Sequence, residues 1–200
     1  MLHRMLSTAT AVCLAAVALT AAGQALTQRE ADSFDKKIGA LIQRGAATGA
    51  AARPLRTPLT DREVNAYFKF QGAQYLPVGV INPSLQILDN ARLSAVATVD
   101  LDAVRNSKER GWTDPFTYMS GQLDIRIVGK VHAAGGKGTI EIESATLSGV
   151  PIPHILLQEL VSYYSKTPEN PNGFSLDQQF NLPQRIQQVD FQRGSAVIVQ

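Results

Sequence analysis

From position 27 the hydrophobic residues recur at helical spacing. Ala31, Phe34, Ile38, Leu41 and Ile42 share one face, while Lys36, Lys37 and Arg44 share the other. That period predicts an amphipathic helix over roughly 27–44. Thr27-Gln28-Arg29-Glu30 reads as its capping box: the threonine hydroxyl accepts from the third helical N–H, and the glutamate reaches back to the cap. Residues 26–44 are therefore expected to be an N-terminal amphipathic helix. Residues 45–58 are Gly, Ala, Arg, Pro and Thr without periodicity and read as a linker. A second capping box, Thr60-Asp61-Arg62-Glu63, opens a helix of roughly 60–71 that carries Val64, Tyr67 and Phe68. Pro77, Gly79 and Pro83 then punctuate an irregular stretch.

From Leu85 the period changes to two. Leu93, Ala95, Ala97, Val99 and Leu101 alternate with Arg92, Ser94, Thr98 and Asp100, the pattern of a half-buried strand. Residues 102–110 read as a short helix with Asp102 at its start, Lys108 and Arg110 at its end and Gly111 beyond, matching the helix dipole. Leu123, Ile125, Ile127 and Val131 alternate with polar residues, and so do Ile140 and Ile142 after the turn Ala134-Gly135-Gly136-Lys137. This predicts an antiparallel hairpin with one wet face and one dry face. A helix over roughly 153–165, a polar loop from Thr167 to Gly173, and a final hairpin turning at Arg193-Gly194 complete the chain. The sum is an α+β fold: an antiparallel sheet of about five to seven strands with helices packed on one face, occupying residues 59–200 as a single domain.

The first 25 residues lie outside that scheme. His3 and Arg4 precede an apolar run from about Ala9 to Ala22, and Gly23-Gln24-Ala25 follows. This is the three-part pattern of a cleavable signal peptide, with cleavage expected after Ala25 and a periplasmic or secreted destination. The run is shorter than the about 20 residues that span a bilayer; the alternative reading is an uncleaved anchor. Cys13 lies inside the run, away from the cleavage point, so a lipidated cysteine is not expected.

Composition narrows the chemistry. The chain holds 19 Lys+Arg against 17 Asp+Glu, and removing 1–25 takes away only Arg4 among them. Such a balance argues against nucleic acid as a partner, which calls for a clustered basic surface. Cys13 is the one cysteine and leaves with the signal, so neither a disulfide nor a cysteine-ligated metal is expected. His132 and His154 stand apart, without a third ligand at metal-site spacing. Ser120, Ser148 and Ser195 do not sit in a nucleophile turn of the G-x-S-x-G kind. Asp100 and Asp102 are explained by the helix start they flank, and Glu141 and Glu143 by a solvated strand face. No catalytic residue, metal or cofactor is therefore expected.

The helix at 153–165 carries more apolar surface than one contact face uses. Ile155, Leu156, Leu160 and Tyr163 would supply a single stripe; Leu157, Val161 and Tyr164 widen the arc, and only Gln158, Glu159 and Ser162 stay polar. One reading is a helix sandwiched between the sheet and the N-terminal helix. The other is a wall of a lipid groove, formed by Phe68, Ile155, Leu156, Leu157, Leu160, Val161 and Tyr164. Trp112, Phe116 and Tyr118 cluster in a Pro-containing loop, either as a plug for one end of the core or as a contact with a membrane surface.

Several of these segments resemble the LmeA-like and YpmS-like families of exported envelope proteins, relatives of AsmA-type lipid-handling domains. They are Leu59-Thr60-Asp61-Arg62-Glu63-Val64-Asn65, the strand running into Val99-Asp100-Leu101, the L-x-G-x-P-x-P run from Leu147 to Pro153, and the ending Phe180-Asn181-Leu182-Pro183 with Ile186, Val189, Gly194 and Val197. The resemblance spans roughly residues 57–200 and implies non-catalytic binding of phospholipid or a similar amphiphile. It transfers no individual functional residue. The competing expectation is a structural or protein-interaction module of the envelope with a filled core and no ligand. A hydrolase with its residues scattered along the chain is a third, which no nucleophile motif supports.

Overall fold

Both capping boxes form as the spacing predicts. In a computed structural model, which describes residues 25–47, 53–106, 120–166, 171–176 and 178–200 apart from the side chains of Tyr163 and Tyr164, Thr27 caps α1 (Gln28–Ala46) and Thr60 caps α2 (Asp61–Phe70). In each, the threonine hydroxyl accepts from the N–H three residues on, and the glutamate there accepts from the threonine N–H. Each helix buries an alanine completely, Ala31 of α1 and Ala66 of α2, and the two meet through the Phe34 and Tyr67 rings, whose centres are 4.9 Å apart.

The remaining elements alternate as the periodicity predicts, with additions. Strand β1 (Arg56–Thr60) precedes α2; β2 (Val80–Ile87) and β3 (Arg92–Asp100) follow it after a 3₁₀ turn at Gly72–Tyr75. Then come α3 (Leu101–Asn106), β4 (Gln122–Ala134), β5 (Lys137–Leu147), the short β6 (Val150–Pro151), α4 (His154–Tyr164), the short β7 (Phe180–Asn181), β8 (Gln188–Gln192) and β9 (Ser195–Val199). Every pairing is antiparallel. The architecture is α+β, as expected, but the strands divide into two sheets. Six form one sheet in the order β2-β3-β4-β5-β6, with β7 beside β5; the other is β1-β9-β8.

Two segments differ from expectation. The linker predicted up to residue 58 contains the start of β1. Its Pro58 concealed it, yet an edge strand tolerates a missing N–H, and here Pro58 lies opposite Val197. The irregular stretch around Pro83 is part of β2. Pairing with β3 slips between Ile81 and Ser84, and Asn82 adopts a left-handed φ of 50°. The slip is a β-bulge, which breaks the strict two-residue alternation of a strand. The predicted helix over 102–110 is seen as α3 to Asn106; the rest lies outside the described residues, as do residues 1–24 of the segment expected to be a signal peptide. The β4–β5 turn has the two left-handed residues that a tight hairpin demands, Gly135 and Gly136 with φ of 60° and 74°.

Opposed residues on paired strands point to one side. Val99, Ala97 and Ala95 of β3 lie opposite Leu123, Ile125 and Ile127 of β4, and Ile125 and Ile127 lie in turn opposite Leu147 and Ala145 of β5. A second bulge lets Ile142 and Ile140 join this face opposite Gly129 and Val131. The face is apolar as predicted, but it is not dry. Leu123, Ile125 and Ile127 are only half-buried, and Ala95 and Ile140 are exposed. Helix α1 packs on α2, and α2 meets β2 of the large sheet and β1 of the small one. The buried apolar side chains include Leu41 of α1, Leu59 of β1, Ile87 of β2 and Ala196 of β9, together with Ala133 and Ala145 of the large sheet.

Candidate apolar groove

Helix α2 meets the edge strand β2 through Asn65. Its Nδ2 donates to the Leu85 carbonyl at 2.7 Å, and its Oδ1 accepts from the Leu85 N–H at 2.7 Å. The amide thus takes the place of a neighbouring strand and satisfies backbone that an edge would leave open. Residues 65, 68 and 69 lie on one helical face. Below them the 3₁₀ turn brings in Ala73, with Leu76 following. Together with Leu26 and the bulged part of β2, these elements enclose an open groove of about 700 Å³.

Its walls are mainly hydrocarbon: Phe68, Ala73, Leu76, Val80, Ile81 and Pro83, with Leu26 at the α1 side. Asn65, Asn82 and Ser84 are polar but neutral, and among the described residues Lys69 supplies the lining's one charged side chain. The Lys69 ammonium lies 5.2 Å from the centre of the Phe70 ring, and no carboxylate among the described residues pairs with it. The size falls within the roughly 300–1,000 Å³ usual for small-ligand sites.

Of the described side chains among those proposed to line a lipid groove, only Phe68 belongs to this lining. The α4 residues lie elsewhere, and that helix presents a different side from the one its single stripe predicted. Leu157 is buried at 4% exposure, whereas Ile155 is 75% and Leu156 42% exposed. Leu160 and Val161 are half-buried. Tyr164 closes the helix, and its side chain lies outside the described residues, as do Trp112, Phe116 and Tyr118 entirely. The polar residues of α4 are engaged by the segment 172–176. Gln158 accepts from the Leu176 N–H at 2.7 Å, Ser162 donates to the Asn172 carbonyl at 3.2 Å, and Ser165 accepts from the Phe174 N–H at 2.6 Å. Gly173 makes the close approach possible: a Cβ there would fall 1.9 Å from the Ser162 carbonyl, and its φ is 71°. Around this helix Val150, Ile155, Leu156 and Phe174 form exposed apolar surface.

The other singled-out residues have structural roles. Asp100 accepts from the Ala103 N–H at 2.9 Å and Asp102 from the Gly121 N–H at 3.0 Å, so both serve the start of α3 and the strand beyond. Glu143 pairs with Arg92 at 2.6 Å. His132 and His154 are exposed on β4 and at the start of α4. Among the described residues no three His, Cys, Asp or Glu side chains converge, and no helix is long and apolar enough to cross a membrane. The groove was missed in the sequence because its members come from four separated segments; the bulge that turns Ile81 and Asn82 toward α2 carries no spacing signal. Comparison of the chain with protein-family models, with curated proteins and with solved structures finds no match in any of the three.

Proposed function

We propose that this is an exported envelope domain that binds a phospholipid or another amphiphile without transforming it. The observation that carries the reading is the groove of about 700 Å³ between α2, the 3₁₀ turn and β2, with its largely hydrocarbon walls. Pockets of this kind hold apolar ligands and orient them by a few polar groups. The half-covered apolar face of the large sheet adds surface of the same character. The signal-like residues 1–25 and the resemblance to envelope lipid-handling families agree with it.

The test is extraction of the protein from its own cells without detergent, followed by mass spectrometry of what it carries. The wild type is expected to retain an amphiphile, and Ala73→Trp, which fills the groove from an exposed position, to lose it. A wild-type protein that carries none, and that takes up none when offered, would remove this reading. A second reading then stands, a protein-interaction module of the envelope. The exposed Val150, Ile155, Leu156 and Phe174, on α4 and the segments before and after it, favour it, since large exposed apolar side chains are the material of contact surfaces.

A further inference from the structure

We propose that the groove selects a single-chain amphiphile with an anionic head, and that Lys69 is the residue that reads the head. The inference rests on the amphiphile reading and narrows it. Size sets the first limit. The volume of about 700 Å³ lies within the roughly 300–1,000 Å³ of sites that hold one small molecule. One aliphatic chain with a small head is a ligand of that class, whereas a two-chain phospholipid is larger and would leave its second chain in water.

Charge sets the second limit. Among the described residues Lys69 is the one charged side chain of the lining, and no acid there opposes it. Lys69 lines the groove with Phe68 and is exposed, and its ammonium lies 5.2 Å from the centre of the neighbouring Phe70 ring. Asn65 has both amide atoms committed to Leu85 and cannot bind a head strongly. Asn82 and Ser84, at the bulge, add neutral hydrogen-bonding capacity on the β2 side. An anionic head gains a charge-assisted hydrogen bond from Lys69, a neutral head gains less, and a cationic head is repelled. The shared chemistry is a monoanion on one hydrocarbon chain, whether carboxylate or phosphate ester.

Calorimetric titration with dodecyl compounds below their aggregation limit tests this. The wild type is expected to bind dodecanoate at least about tenfold more tightly than dodecyltrimethylammonium, with dodecanol between them and acetate not binding. Lys69→Gln should weaken dodecanoate about tenfold and erase the preference, and Lys69→Glu should reverse it. Ala73→Trp, checked by its melting curve to be folded, should abolish binding of all three chains. Equal binding of the two opposite charges overturns the inference while leaving the amphiphile reading in place. Unchanged dodecanoate binding in folded Ala73→Trp overturns the groove as the site. No binding of any dodecyl compound overturns both.

Discussion

Glu30 and Glu63 each cap their own helix and hold the other. Glu30 accepts from the Thr27 N–H and also from the Arg62 guanidinium on α2 at 2.7 Å. Glu63 accepts from the Thr60 N–H and also from Ser33 and Lys37 on α1, both at 2.6 Å. The Arg62 hydrogen bond, followed by those from Thr27, pulls Glu30 from the ordinary 4.5 down to about 2. Burial pushes Glu63 upward, but Lys37, Ser33 and Thr60 together outweigh it, and its carboxyl ends below the ordinary value. A lowered folded-state value means that the charged form stabilises the fold. That contribution is complete above about 4.5 and is lost as the pH falls toward about 2 for Glu30, and through the lowered value for Glu63. Glu63→Gln should cost about 1–3 kcal/mol near neutral pH and make the acid decline of stability shallower than in the wild type. Urea unfolding at a series of pH values checks both; an unchanged acid slope would show that Glu63 does not couple the helices. The caps were legible because their partners lie three residues apart. The cross-links were not: they join residues 26 to 32 positions apart, and nothing local marks them.

The same limit appears among elements. Strand period revealed β3, β4 and β5 because their side chains alternate, and it failed at β2, where the bulge changes phase between Val80 and Leu85. For α4 the apolar pattern predicted a helix but did not orient it, because an arc of seven apolar residues offers several possible stripes. What orients it is polar: Gln158, Ser162 and Ser165, at helical spacing, receive the segment 172–176 and direct Leu157 inward. The orientation has a measurable consequence. Leu157→Ala should destabilise by roughly 2–5 kcal/mol, the range for truncating a buried leucine. Ile155→Ser should fall within about 0.5 kcal/mol of the wild type, as surface changes do. Denaturant unfolding of the pair decides; comparable losses at the two positions would mean that α4 docks through its other side.

At the scale of the molecule, the antiparallel α+β class followed from the order of periods, whereas the division into two sheets did not, because β1 and β9 pair from opposite ends of the chain. Arg56 lies opposite Val199, and Leu55 exchanges two backbone hydrogen bonds at 3.0 Å with Gln200. Strand β9 is the middle strand of its sheet, and the Gln200 amide extends its reach by donating to the Leu41 carbonyl of α1 at 2.9 Å. The small sheet is also joined to the large one. The Gly194 N–H donates to the Ile87 carbonyl at 2.8 Å, the Gly136 N–H donates to the Gln187 carbonyl at 2.9 Å, and Arg193 pairs with Asp89. Closing loops this long before their contacts form makes folding slow, and it makes the two sheets interdependent. Removing residues 195–200 should therefore do more than fray one hairpin. It leaves β1 and β8 without a shared neighbour, uncovers Leu41 and Leu59, and cuts the bond between Gly194 and Ile87 loose from its hairpin. The expected result is loss of the cooperative unfolding transition and of amide protection throughout, including Ile125 and Ile127 in the centre of β4. Hydrogen exchange on the shortened chain measures this residue by residue. Protection retained in β4 while β1 and β8 exchange freely would instead make the two sheets independent folding units, with the groove carried by the larger sheet and α2 alone.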